Sequence, residues 1–243
     1  MKADNNIMVL KVLRVFGIRE AYMAEMVKDL IDEEKNLIIE SYAKDVDITL
    51  KITAKGNTEE EAKATIVKIE KKIRERLNQS VYGEGDTTME EVVAKLLLDK
   101  HLTIATAESC TGGLIAATLI NYPGISEVFM QGCVTYSNEA KMQRLGVKKE
   151  TLDEFGAVSE QTALEMAEGI TKTSETNVGI SSTGIAGPGG GTEEKPVGLV
   201  YVGLCINGIK KAVKFNFKGD RQEVRQRTVI NALDFLRREL LNM

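Results

Sequence analysis

The chain has one histidine in 243 residues, and that scarcity narrows its chemistry more than any other feature of composition. A serine hydrolase of the Ser-His type has only His101 to draw on, eight residues before the most promising hydroxyl and on the far side of a strand. Three cysteines, Cys110, Cys133 and Cys205, are scattered without a C-x-x-C pair, so neither a zinc site nor a disulfide framework is expected. No metal and no cofactor enter the reading. Positive charge is also lacking: 32 Lys+Arg against 36 Asp+Glu leave a net −4, which gives no global attraction for nucleic acid or an anionic membrane. No apolar run reaches the roughly 18 residues of a membrane span, and no signal-peptide pattern opens the chain. Reduced thiols in a cytoplasmic protein are the expectation.

What is present is a globular composition, 43% hydrophobic against 28% charged, on a chain long enough for two domains. Residues 1–80 read as a small α+β unit in the order β-α-β-β-α. Its strands fall near Lys11–Gly17 and across Leu37–Ala54, and its helices at Glu20–Glu34 and Thr58–Leu77. Thr58 and Glu61 form a capping-box pattern, and Ile66, Ile69 and Ile73 share one helical face. Residues 81–87 carry Gly83, Gly85 and Asp86 and read as a linker.

From residue 88 to 243, helix and strand patterns alternate, beginning with a helix over Thr88–Lys100. Strands are predicted near 102–107, 128–136, 177–183, 197–206 and 209–217, and helices near 111–121, 138–145, 159–174 and 220–240. Alternation predicts a three-layer α/β/α domain, and Asn207-Gly208 between two strand patterns predicts a type I′ hairpin that makes the sheet mixed. No internal repeat is present.

Chemistry concentrates in four places. Ser109 follows an apolar strand and precedes a helical pattern, where a hydroxyl can be an ordinary N-cap or a nucleophile beside free N–H groups. Gly112 and Gly113 in that first turn weaken a helix by roughly 1 kcal/mol each and favour close approach of a ligand to backbone. Lys141 lies just inside the helix that Ser137 or Asn138 caps. It is either a solvated side chain or a base whose ammonium form burial must disfavour by roughly 3–4 kcal/mol. The run from Ser181 to Thr192 carries five glycines in eight positions and matches neither a P-loop nor G-x-G-x-x-G. It is either a mobile surface loop or a flexible cradle for a phosphate or carboxamide. Arg221 and Arg225 sit one turn apart at a helix start, there to hold an anion or to pair with Asp220 or Glu223. Tyr136 is a weaker candidate, able to orient a ring or phosphate or simply to pack.

Five blocks in one order carry a resemblance: Ala107-Glu108-Ser109-Cys110-Thr111-Gly112-Gly113, Thr135–Lys141, Gly156–Ser159, Thr183–Gly190 and Gly219-Asp220-Arg221. Together they resemble the C-terminal domain of the CinA competence/damage-inducible family over about residues 86–243, while residues 1–85 look like its KH-type linker domain. The resemblance implies a nicotinamide-nucleotide amidohydrolase that converts nicotinamide mononucleotide to nicotinate mononucleotide and ammonia without metal or cofactor. Its serine and lysine match Ser109 and Lys141. It further implies that backbone near Cys110, Thr111 and Gly112 holds the oxyanion. Tyr136, Thr183, Gly184, Gly187, Arg221 and Arg225 would then line the nucleotide site. The upstream domain of longer members, associated with ADP-ribose pyrophosphatase activity, has no counterpart here, and that activity is not expected. The small molecule is the expected partner, in a homodimer or higher homo-oligomer. Two rivals remain at this point: a nucleotide sensor without catalysis, and a non-catalytic nucleic-acid or DNA-uptake scaffold. Residues 1–80 lack the G-x-x-G loop by which KH domains grip nucleic acid.

Overall fold

The computed structural model describes residues 7–34, 36–44 and 47–243 and divides into two compact units between Met89 and Glu90. In the first, β1 (Ile7–Phe16), β2 (Leu37–Lys44), β3 (Asp47–Gly56) and β4 (Val81–Glu84) form an antiparallel sheet in the order β2-β3-β1-β4. β3 alternates buried and half-buried positions, so Ile48, Leu50, Ile52 and Ala54 face one side. On that side lie α1 (Glu20–Glu33) and α2 (Glu59–Leu77), whose Met23, Val27, Leu30, Ile66, Ile69 and Ile73 complete the core. Thr58 caps α2 as its spacing predicts, accepting from the Glu61 N–H at 3.2 Å, while the Glu61 carboxylate reaches the Asn57 N–H at 2.9 Å.

One expectation is corrected here. Val81–Glu84, read as the start of a linker, is the edge strand β4, paired antiparallel with β1. Tyr82 is buried and donates its hydroxyl to Asp47 at 2.8 Å, and the Arg14 guanidinium bonds Asp47, Tyr82 and Thr49. Four residues bearing glycine give a weak strand pattern; contacts with a strand some 70 positions upstream supply the rest.

The second unit opens with α3 (Met89–Asp99) and builds a mixed sheet in the order β6-β5-β7-β8-β9. β5 (Ile104–Glu108) runs parallel to β6 (Phe129–Val134) and to β7 (Val178–Gly184), whereas β8 (Leu199–Ile206) and β9 (Ile209–Asn216) are antiparallel. The Asn207-Gly208 hairpin is present, with φ of 48° and 83° as a type I′ turn requires. α7 (Glu160–Ser174) packs on one face. Gly179 and Gly203 admit it, since a Cβ on either would stand 2.3 Å from a backbone oxygen of α7. α4 (Leu114–Leu119) and α8 (Arg221–Leu241) pack on each other, with α8 against β7 and β8, and α5 (Asn138–Leu145) packs on α7.

The helix expected over 111–121 is shorter, because Gly112 and Gly113 hold φ of 63° and 97° and cannot belong to it. α6 (Lys149–Phe155) lies where no helix was predicted. It has no side-chain cap of its own; Glu165 of α7 accepts from the Lys148 N–H at 2.9 Å and from the Thr151 hydroxyl at 2.8 Å. Among the described residues no helix is long and apolar enough to cross a membrane.

Candidate functional site

Because β5, β6 and β7 are parallel, their carboxyl ends lie at one edge of the sheet. β9 ends at the same edge, opposite the start of β8, and α8 follows it there. This topology gathers the Ser109 turn, the Thr135–Lys141 segment, the glycine-rich loop and the first turn of α8, as open α/β folds gather ligand sites. His101 precedes β5 and lies toward the opposite edge.

Ser109 does not cap α4. The capping group is the preceding residue, Glu108, whose carboxylate accepts from Gly113 N–H and Ile115 N–H at 3.0 Å each and from Ala116 N–H at 2.8 Å. Only 1% exposed, it satisfies three donors that the helix start would otherwise bury unpaired. The Ser109 side chain is thereby left out of the cap. Its N–H donates to Ser182 O at 2.9 Å and its carbonyl accepts from Gly112 N–H at 3.1 Å, which closes the turn. Thr111 and Ser182 share a buried hydroxyl hydrogen bond at 2.6 Å. Within the turn the Gly112 and Gly113 N–H groups are taken; those of Cys110 and Thr111 donate to no oxygen among the described residues.

Ser137 caps α5, accepting from Ala140 N–H at 3.1 Å, and this sets Lys141 on the inward face of the helix. The lysine is 1% exposed. Its Nζ donates to Thr135 O at 2.9 Å and Tyr136 O at 3.4 Å, and stands 3.2 Å from Ser109 Oγ. It makes no ion pair among the described residues. Burial without a counter-ion pushes its pKa below the ordinary 10.5. The Cys110 thiol next to the serine is driven the other way, up to about 11 by burial, so it stays protonated at neutral pH and is a poor nucleophile.

Around this pair Arg221 and Arg225, at the start of α8, are not spent on acidic neighbours. Asp220 caps α8 in a full capping box with Glu223. Arg221 instead bonds Gly187 O at 2.8 Å and the Tyr136 hydroxyl at 2.9 Å, and Arg225 bonds Thr111 O at 2.8 Å. The Arg225 Nε is buried and has no hydrogen-bond partner among the described residues. Tyr136 is 63% exposed. Thr183 has its hydroxyl engaged with Ala157 O at 2.6 Å, and a Cβ on Gly184 would meet Leu199 O at 2.7 Å. Gly187, at φ 85°, turns its carbonyl to Arg221.

The glycine-rich segment is not the free loop its composition suggests. Ile185 exchanges backbone hydrogen bonds with Gly198 and Leu199, and Lys195 Nζ donates to Phe155 O at 2.6 Å and Val158 O at 2.9 Å. Sequence reasoning passed over Lys195 and, more consequentially, Glu108. The available signal for Glu108 was a carboxylate at a strand end, ahead of a helix with no acid in its own first turn.

The second unit is thus a mixed-sheet α/β/α domain with a buried serine-lysine pair at the carboxyl edge of its parallel strands. The profile described as the CinA C-terminal domain matches residues 86–240, and that of the damage-inducible protein CinA KH domain matches residues 10–83. The chain belongs to the CinA family. It is 66% identical over 239 residues to a competence-damage inducible protein of Clostridium perfringens and 62% identical over 242 to one of Clostridium acetobutylicum. It spans 58% and 59% of the length of these curated relatives. Among solved structures, the competence/damage inducible protein CihA of Agrobacterium tumefaciens is 46% identical, covering 62% of this chain and 94% of its own, with a TM-score of 0.58. A CinA superfamily protein of Klebsiella pneumoniae is 34% identical, covering 65% of this chain and all of its own, with a TM-score of 0.62.

Proposed function

We propose that the second unit hydrolyses the carboxamide of nicotinamide mononucleotide to nicotinate mononucleotide and ammonia through Ser109 and Lys141. The observation that carries this reading is the 3.2 Å approach of a buried, carboxylate-free amine to Ser109 Oγ. Two carbonyls occupy the N–H groups of the neutral amine, and its lone pair is left for the serine proton. Lys141 takes that proton as Oγ attacks the carboxamide carbon. The N–H groups of Cys110 and Thr111 are the donors available to the oxyanion, an effect of about 3–4 kcal/mol when a donor is fully engaged. Gly112, whose N–H already closes the turn, is removed from that set.

The lysine then returns the proton to the departing nitrogen, ammonia leaves, and the nucleotide remains as an ester on Ser109. Water, giving its proton to Lys141, cleaves the ester and restores the serine. Arg221 and Arg225 supply fork-shaped donors for the ribose phosphate, with the Tyr136 hydroxyl beside them. Ammonia release from nicotinamide mononucleotide tests the reading directly. Ser109→Ala is expected to abolish release and to retain nucleotide binding by calorimetry; an inactive wild type, or a fully active variant, overturns it.

A further inference from the structure

We propose that Glu108 is a positioning residue for the nucleophile, holding Ser109 at attack distance through the start of α4 rather than by contact with substrate. The inference rests on the amidohydrolase reading and adds a residue to it. Glu108 stands where two parts of the site meet. Its carboxylate gathers the N–H groups of residues 113, 115 and 116, which fixes where the Ser109–Gly113 turn ends. Its own carbonyl accepts from Thr135 N–H at 2.9 Å, and the Thr135 carbonyl in turn holds Lys141 Nζ. One residue therefore braces the turn that carries the serine through its side chain, and the segment that carries the lysine through its backbone.

Only the first brace can be removed by substitution. Ser182 and Arg225 anchor the front of the turn, at Ser109 and Thr111. At its helix end Gly112 and Gly113 lie in left-handed conformations that do not continue the helix and α4 has no side-chain cap at Gly113, so the end is left to Glu108. A carboxylate offers acceptors on both oxygens, whereas an amide presents an NH2 to at least one of these N–H groups. Glu108→Gln thus shifts the turn with little change in volume. Both oxygens already hold N–H groups, so the carboxylate is not arranged to exchange protons with substrate.

The test compares wild type, Glu108→Gln and Glu108→Asp. Steady-state ammonia release is measured across pH, Ser109 modification by a fluorophosphonate is followed by peptide mass spectrometry, and thermal melting is recorded. For Glu108→Gln, kcat is expected to fall about 10–100-fold with KM within a few-fold, as for other residues that orient a reacting group. Ser109 labelling slows in step, the pH dependence keeps its shape, and Glu108→Asp recovers part of the loss. Wild-type turnover and labelling in a folded Glu108→Gln protein overturn the assignment. So does a pH profile that loses a limb, which would make Glu108 a proton-transfer group. So does a melting curve showing that activity is lost only with the fold. If wild type labels at Ser109 but releases no ammonia, the substrate reading falls while the labelling comparison still judges Glu108.

Discussion

The two units each hold a cation in contrasting ways, Arg14 in the first and Lys141 in the second. In the first, Arg14 is answered by Asp47, Tyr82 and Thr49, with a formal negative charge in hydrogen-bond contact and both partners still about a quarter exposed. In the second, Lys141 is nearly inaccessible and meets only neutral oxygens. A paired guanidinium keeps its charge and ties β4 to the sheet. An unpaired amine is pushed toward its neutral form, which is the form a base requires. The buried carboxylate next to Ser109 in sequence, Glu108, is committed to backbone N–H groups and leaves Lys141 unpaired.

The contrast can be broken from either side. Lys141→Met is expected to cost about 10²–10⁴-fold in turnover, the range for loss of a general base, while melting temperature holds or rises because the cost of burying an ionisable amine has been removed. A variant that keeps ammonia release, or that unfolds as readily as it loses activity, would collapse the distinction. The pH dependence follows from the sign of the lysine shift. In the proposed mechanism the active form is the amine, so turnover should rise with pH through a value below 10.5 and level off above it. The same group contributes to stability in the same sense. Between its depressed folded value and 10.5 the unfolded chain binds the extra proton, so stability gains with pH across that window. Chemical denaturation of wild type against Lys141→Met, run at several pH values, reads this difference.

Smaller effects are expected around the pair. Arg221→Ala should weaken kcat/KM by about 1.5–3 kcal/mol, the range for a hydrogen bond to a charged group, through KM more than kcat. An unchanged KM would separate Arg221 from the phosphate. Asp47→Asn should lower stability by about 1 kcal/mol or less, given the partial exposure of its ion pair with Arg14, and leave ammonia release untouched.

Legibility in the sequence followed the range of the interactions. Thr58, Ser137, Ser159 and Asp220 cap the helices that follow them, because a cap bonds an N–H two or three residues on and is written locally. Ser109 has the same setting before α4 and does something else. What separates it is that a carboxylate one residue earlier reaches over the turn, which spacing alone does not reveal. α6 escaped notice for a related reason, since its capping oxygens come from Glu165 on another helix. β4 was read as linker because four residues next to glycines have little pattern until β1 is beside them.

By itself the sequence determined the two-unit organisation, the alternation that makes a mixed sheet with helices on both faces, the Asn207-Gly208 turn and the set of residues able to do acyl chemistry. Those are consequences of periodicity, φ preference and side-chain chemistry, each expressed within a few neighbouring positions. Only the tertiary structure decided that Lys141 is buried without a counter-charge and stands at Ser109, that Glu108 braces the turn, and that Arg221 and Arg225 avoid their acidic neighbours. Burial, and the choice of partner for a charge, depend on which distant segments fold against it, and no local stretch of chain contains that information.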